Sequence, residues 1–330
     1  MFPGWYAIVM GLAGLSLAWN RAVPLMGEMA GAASLVLAVA AAAVLIVLLA
    51  ASVLRWQRHP EAWAEDRRHP VRHAFIATLP VAAMLVGTAG VALGGPSWPA
   101  RVLWWAGSLA QLGVTLWVLS RWWRGGATPA AGGLTWAGAT PALFIPIVGN
   151  VLAPLGGVPL GHLEWSAAQF GIGLLFWPVV TVLLLARLIV QGPWPERLRP
   201  SIFIFIAPPA VVGLSALQLG APPLVGWMCW GMAMFSAAWV ATQARSVTAM
   251  AFGLSHWAMS FPLAALAALT LRLGTGGGLL ATLGPALLAL ASLVVAWLLL
   301  GTWRGLREGS LLAPEPVATI AAPEASARAA

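Results

Sequence analysis

The sequence predicts an all-α integral membrane protein with ten transmembrane helices. Hydrophobic residues make up 61% of the 330 residues and charged residues only 8%, whereas soluble domains contain about 25% charged residues. The apolar residues form continuous runs, and a helix needs about 20 such residues to cross a hydrocarbon core of about 30 Å. Continuous runs exclude an outer-membrane barrel, because its strands alternate apolar and polar residues.

Ten apolar runs are predicted to cross the membrane, and short connections separate them. They occupy residues 2–19, 29–54, 74–93, 100–120, 139–155, 165–190, 201–218, 224–241, 250–271 and 279–301. The fifth run is the most interrupted, because Pro141, Pro146 and Pro154 fall within it. Since no connection can hold a soluble domain, residues 1–308 are predicted to form one transmembrane domain. Residues 309–330 are rich in Ala, Pro and Glu without periodicity, which predicts a disordered cytoplasmic tail.

The arginines predict the orientation of the chain. All 17 basic residues are arginine, and the formal net charge is +8. With ten spans, the connections after even-numbered spans share a side with both termini. That side carries thirteen arginines: Arg55, Arg58, Arg67, Arg68, Arg72, Arg121, Arg124, Arg187, Arg197, Arg199, Arg245, Arg304 and Arg307. The opposite side carries Arg21, Arg101 and Arg272. This bias predicts cytoplasmic termini. With so little polar surface, the chain is not predicted to bind nucleic acid.

Proline recurs in the odd-numbered spans, at Pro80, Pro146, Pro208 and Pro262, and a phenylalanine precedes each of them in the same run. Proline removes one backbone hydrogen bond and kinks a helix. The freed carbonyl group has to face protein or a wet cavity rather than lipid. The pattern therefore predicts five helical hairpins around a central pore, with the odd-numbered helices lining it.

The predicted spans carry almost no ionisable side chains. His256 in span nine is the one deep titratable candidate, and we expect either an interhelix hydrogen bond or a proton- or ligand-binding role. A pore without fixed charges still favours anions through exposed backbone N–H groups and through arginines at its mouth. An apolar ring in such a pore gates it by excluding water. Cys229 is the single cysteine, and the sequence predicts neither a metal site nor a cofactor.

Two stretches resemble a known family: FPGWYAIVMGLAGLSLAW at the start of the chain and HWAMSFPLAAL in span nine. Both look like the tellurite-resistance/dicarboxylate transporter family, which includes bacterial TehA and the slow-type anion channels of plant guard cells. The resemblance implies a homotrimer in which each protomer holds its own pore, formed by five inner helices with five outer helices around them. It also implies that Phe261 plugs the pore and that Pro80, Pro146, Pro208 and Pro262 kink the inner helices.

Span one departs from the family pattern. Family members often have a proline where this chain has Val9. If span one is kinked, the kink is expected to come from glycines such as Gly11 and Gly14.

The leading hypothesis is passive, gated conduction of small inorganic or carboxylate anions across the plasma (inner) membrane of a bacterium. The alternative is a secondary transporter or exporter of dicarboxylates, sulfite or tellurite-related oxyanions, with His256 as the coupling residue. A membrane-embedded enzyme would need clustered catalytic or metal-ligating side chains within the spans. The spans contain no such cluster in the sequence, so we do not expect an enzyme.

Overall fold

The computed structural model describes residues 2–124 and 133–312, and within these ranges the regular secondary structure is helical throughout. In this part of the chain, nine helices are long and apolar enough to cross a membrane. Spans 1 to 4 are Pro3–Met26, Glu28–Arg58, Arg72–Gly94 and Trp98–Trp122, and spans 6 to 10 are Leu163–Gln191, Glu196–Gln218, Pro223–Ala241, Leu254–Gly276 and Leu279–Arg307. The predicted all-α membrane class is confirmed.

The predicted fifth span, Pro141–Gly157, is not among these nine: it is a shorter apolar segment divided into four pieces, so the count of ten spans stays a prediction. We keep the name span 5 for this segment. Two 3₁₀ segments, Pro141–Leu143 and Gly149–Leu152, alternate with two α-helical segments, Phe144–Val148 and Ala153–Gly157. Two further short helices, Pro60–Arg68 and Ala244–Thr248, lie in the connections that follow spans 2 and 8. Of the predicted tail, residues 309–312 form a turn against the end of span 10, and the remainder lies outside the described residues.

Burial separates the spans into two classes. Between 61% and 89% of the most apolar window is buried in spans 1, 3, 7 and 9, whereas only 17% to 33% is buried in the even-numbered spans. Apolar side chains on the even-numbered spans therefore face outward, as is expected of helices in contact with lipid. The odd-numbered spans supply the interior of the protein.

The odd-numbered spans form a closed ring. Span 1 packs against spans 3 and 9, span 5 packs against spans 3 and 7, and span 7 packs against span 9. Each even-numbered span lies outside this ring, in the groove between the odd-numbered span before it and the one that follows. Span 10 completes the pattern, because it packs against spans 9 and 1. The chain is thus five helical hairpins arranged around one axis.

Every inner span starts with a 3₁₀ segment and then changes to an α-helix. The α-helical parts of spans 1, 3, 7 and 9 begin at Ala7, Thr78, Ala207 and Ser260. The four prolines singled out in the sequence stand second or third in the α segment that follows the 3₁₀ turn. Proline is tolerated at this place, because a first helical turn leaves several N–H groups without an intrahelical partner. The prolines thus mark a change of helix type.

Span 1 makes the same change without a proline. Val9 is the third residue of its α segment, so it occupies the position that Pro80 and Pro262 occupy in spans 3 and 9. The α segment Ala7–Met26 then continues through Gly11 and Gly14 without interruption. The junction is therefore set by the packing of the ring rather than by proline alone.

Side chains from outer span 4 satisfy the carbonyl groups of the broken span 5. Gln111 donates from Nε2 to the carbonyl oxygens of Ile145 at 2.9 Å and Pro146 at 3.1 Å. Thr115 donates from Oγ1 to the same Pro146 oxygen at 2.6 Å. Both side chains are buried. Because a membrane interior offers no water to these carbonyl groups, such bonds are what permit a broken helix here.

The same network continues through span 5 to span 6. Asn150 donates to Thr115 Oγ1 at 2.8 Å and to the Ile147 carbonyl oxygen at 2.9 Å. Gln169 of span 6 donates to Asn150 Oδ1 at 3.0 Å, and Ser108 of span 4 donates to Gln169 Oε1 at 2.6 Å. Gln111, Asn150 and Gln169 therefore hold one broken inner helix between two continuous outer helices.

Replacing Thr115 by valine should destabilise this wall. The change leaves Asn150 Nδ2 with one acceptor fewer and removes a donor from the Pro146 carbonyl oxygen, at a cost of about 1–2 kcal/mol. Thermal unfolding of the detergent-solubilised protein should show a midpoint several degrees below that of the wild type. Thr181→Val is the matched control, since Thr181 bonds only to the Trp177 carbonyl of its own outer helix. Equal shifts for the two variants would contradict this account of span 5.

Candidate functional site

The ring of inner spans encloses a cavity of about 1720 Å³, which we call the central cavity. All five odd-numbered spans contribute to its wall. It opens at one end of the ring, where Arg55, Arg72, Arg187, Arg197 and Arg199 also line it. We call this the arginine-rich end, and it is the side that the arginine distribution predicts to be cytoplasmic.

The inner end of the central cavity is apolar. Met10 of span 1, Val81 of span 3, Val148 of span 5 and Val211 of span 7 line it together with Phe261 of span 9. Each of these four aliphatic side chains follows the change of helix type in its own span by a few residues. One side chain from every inner span thus lines this apolar part of the cavity.

Phe261 is the only aromatic member of this apolar set, and its ring lies against span 1. A methyl group placed at Gly14 would come within 2.7 Å of Cδ2 of the Phe261 ring. One placed at Gly11 would come within 2.7 Å of Cβ of Ser260. The two glycines expected to kink span 1 therefore lie where spans 1 and 9 approach each other closely.

The remaining phenylalanines of the proline motifs occupy different environments. Phe75 and Phe144 line the central cavity nearer to its arginine-rich end. Phe205 is buried and packs edge to face on Phe144 and Trp239, with ring centroids 5.2 and 5.6 Å apart. Phe205 stands three residues before its proline and Phe261 one residue before, and their positions relative to the cavity also differ. All four prolines are buried, and of these Pro208 and Pro262 line the cavity.

His256 lies in the cavity wall and is 1% exposed. The Gly253 N–H group donates to Nδ1 at 3.1 Å, and Nε2 lies 3.3 Å from the Val247 carbonyl oxygen. Its ring stacks on Phe252 at 5.4 Å. Nδ1 also lies 3.0 Å from the Gly253 carbonyl oxygen. Through these contacts His256 joins the connection after span 8 to span 9.

A buried ion-pair cluster that the sequence did not predict lies at the arginine-rich end. Asp66, on the short helix Pro60–Arg68, is fully buried. Its carboxylate lies 2.6 Å from Arg55 and 3.6 Å from Arg72, both of which line the central cavity. The one signal in the sequence was an acidic residue in an arginine-rich connection. The cluster ties the connection between spans 2 and 3 to the mouth of the cavity.

Arg187, near the end of span 6, is a second feature that sequence reasoning did not single out. It is 7% exposed, stacks on the face of Trp194 at 5.1 Å and donates from Nη1 to the Gly192 carbonyl oxygen. It also lines the central cavity. In the sequence Arg187 indicates only the orientation of the chain, since a charge at a span end has many possible partners.

A helical membrane protein whose inner ring encloses a cavity with a basic mouth and an apolar inner end belongs to the class of membrane transport proteins. Comparison with known families agrees. The family described as voltage-dependent anion channel, SLAC1, matches residues 1–303. The chain therefore belongs to the SLAC1 family, whose members are anion channels and transporters of the membrane. The resemblance seen in the sequence is confirmed.

Individual relatives are distant in sequence. The chain is 28% identical over 267 residues to the tellurite resistance protein TehA homolog of Haemophilus influenzae, a match covering 80% of this chain and 78% of the relative. It is 28% identical over 217 residues to the S-type anion channel SLAH2 of Arabidopsis thaliana, covering 64% of this chain but only 40% of the plant channel. An uncharacterised transporter of Methanocaldococcus jannaschii is 23% identical over 81% of both chains.

Proposed function

We propose that each protomer conducts small anions passively through the central cavity, and that Phe261 plugs the pathway. The observation that carries this proposal is the position of Phe261. It lies among the apolar side chains at the inner end of the cavity, with its ring against the bare backbone of Gly14. A side chain held this way closes the pathway in one rotamer and opens it in another.

The charges around the cavity support anions as the conducted species. Five arginines line the arginine-rich end, and the two cavity-lining carboxylates, Glu65 and Glu196, each lie within ion-pair distance of one of them. Such an excess of positive charge raises the local concentration of anions at the mouth. Beyond it, the apolar residues give a permeating ion no fixed charge to bind tightly.

Phe261→Ala should raise anion conductance. Removing the ring opens the apolar constriction, and lowering the barrier by about 1.4 kcal/mol raises the rate roughly tenfold. The measurement is nitrate or chloride current through the purified protein in planar bilayers. Current that stays at the wild-type level would show that Phe261 is not the plug.

Phe205 offers a matched control for this experiment. It also precedes a proline in an inner span, but it is absent from the cavity wall and packs on Phe144 and Trp239. Phe205→Leu should leave the current at the wild-type level and lower thermal stability, whereas Phe261→Leu should raise the current. A rise in both variants would point to loosened packing rather than to an opened plug.

Gly14→Ala should also raise conductance, by less than Phe261→Ala. The added methyl group would come within 2.7 Å of the Phe261 ring, so the ring has to move. In the Phe261→Ala background the same change has no ring to displace, and the two effects should not add. Gly31→Ala, on outer span 2 with no atom within 4 Å, is the control and should change nothing. Additive effects of Gly14→Ala and Phe261→Ala would contradict the contact.

Coupled transport is the second candidate function. The names of two relatives favour it, one a tellurite resistance protein and the other an uncharacterised transporter. Its substrates would be dicarboxylates, sulfite or tellurite-related oxyanions, and His256 would carry the coupling proton. Both ring nitrogens of His256 contact backbone groups, which favours a role in packing instead.

Anion flux into liposomes, measured at fixed membrane potential with and without a pH gradient, separates the two functions. A passive pathway should show the same flux in both conditions, in the wild type and in His256→Ala. Uptake that follows the pH gradient and is lost in His256→Ala would establish coupled transport and overturn the passive proposal.

We further propose that the protein is a homotrimer in the plasma membrane of a bacterium, with both termini cytoplasmic. The arginine bias supports this orientation. The relative named as a TehA homolog, from Haemophilus influenzae, supports a bacterial setting. Apolar side chains exposed on the outer spans, such as Leu116, Ile189 and Phe235, face either lipid or another protomer.

A further inference from the structure

Two arginines near the ends of outer spans are held in nearly the same way. Arg121 of span 4 and Arg187 of span 6 are each 7% exposed. Arg121 stacks on Trp117 at 5.4 Å, and Arg187 stacks on Trp194 at 5.1 Å. Each donates from Nη1 to a backbone carbonyl oxygen in a nearby connection. A purely structural role in anchoring a connection to a helix end would apply equally to both.

Arg187 differs from Arg121 in two respects. It lines the central cavity, and Arg121 does not. Its Nε atom is also buried without a hydrogen-bond partner, and in residues 2–124 and 133–312 no carboxylate lies within ion-pair distance of its guanidinium group. Arg187 is therefore a buried cation beside a cavity, with its charge not balanced by the described part of the chain.

The charges of the other cavity arginines are met by carboxylates or by water. Arg55 and Arg72 lie within ion-pair distance of Asp66, and Arg199 lies 3.8 Å from Glu196. Arg197 is exposed, so water solvates it. A buried charge is costly unless it is paired. Of the cavity arginines, Arg187 is thus the buried one that has no carboxylate within ion-pair distance among the described residues.

The free edge of Arg187 fits a small oxyanion. Nη1 bonds to the Gly192 carbonyl oxygen, which leaves the edge formed by Nε and Nη2. Two parallel N–H groups on a planar guanidinium group bind two oxygens of one anion, and this geometry is what distinguishes arginine from lysine. Stacking on Trp194 holds the plane of the group in place.

We propose that Arg187 forms a binding site for a small planar oxyanion, such as nitrate or a carboxylate, at the arginine-rich end of the central cavity. This site rests on the proposed function in one respect: it receives the anion before the anion reaches Phe261. Binding at Arg187 itself requires no conduction.

Nitrate binding to the purified protein tests the site. Nitrate is titrated against chloride, a spherical anion without the paired oxygens of a planar oxyanion, at constant ionic strength. The thermal unfolding midpoint in detergent is recorded. The wild-type midpoint should rise saturably, because a ligand that binds the folded state stabilises it. Arg187→Gln should shift the half-saturating nitrate concentration upward about tenfold, since it removes charge-assisted hydrogen bonds. Arg187→Lys keeps the positive charge but lacks the two parallel N–H groups of the guanidinium. Its half-saturating nitrate concentration should therefore lie between those of the wild type and Arg187→Gln.

Arg121→Gln is the matched control. It removes an equally buried, tryptophan-stacked arginine, and its nitrate titration should keep the wild-type midpoint even if its stability without nitrate falls. The proposal is overturned if Arg187→Gln keeps the wild-type half-saturation, or if Arg121→Gln loses the response equally. If Arg187→Gln does not fold, an unshifted titration of Arg187→Lys overturns it.

Two further arms complete the test. In the first, the thermal unfolding midpoint is measured in micelles containing phosphatidylglycerol, which tests whether a lipid headgroup is the source of the anion. Stabilisation by this lipid that depends on Arg187, with an unshifted nitrate response, would overturn a cavity site for a free ion. Nitrate current through the same variants reports separately on conduction. If nitrate binding depends on Arg187 but the protein carries no nitrate current, the binding site is supported and the proposed conduction is contradicted.

Discussion

The structure depends on one constraint, which is that backbone polar groups within a membrane must find their partners inside the protein. The outer spans meet it as long helices, and four of the five exceed 24 residues. The inner spans contain 3₁₀ segments and breaks, and these lie only where neighbouring helices or the central cavity cover them. Span 5 is the most interrupted of the inner spans. It is divided into four segments, and Gln111 and Thr115 of span 4 reach in to bond its carbonyl oxygens.

The breaks in turn position the site. Each inner span changes from 3₁₀ to α-helix near the inner end of the cavity, and the apolar residues that follow the change face the axis. Glycines then let two of these spans come close, so that the Phe261 ring lies on Gly14. The described residues that line this apolar inner end are uncharged. Charges gather at the arginine-rich end, where Asp66 lies within ion-pair distance of two arginines and Arg187 has no carboxylate partner in the described chain.

Several elements of this arrangement were predictable from the sequence and others were not. Long apolar runs predicted the spans, and the alternation of proline predicted which spans lie inside. Yet Val9 shows that the change of helix type does not need proline, and Phe205 shows that the Phe–Pro pattern does not identify a cavity residue. Arg121 and Arg187 look alike in the sequence, and only one of them lines the cavity.

The sequence by itself determined the membrane class, the alternation of inner and outer helices and the predicted orientation. These follow from hydrophobicity and charge, which act on each segment almost independently of the rest of the chain. The tertiary structure decided which side chains meet: Phe261 with Gly14, Asp66 with Arg55, and Arg187 with the cavity. Such contacts depend on how spans distant in the sequence close into a ring, and hydrophobic runs carry no information about rotation around a helix axis.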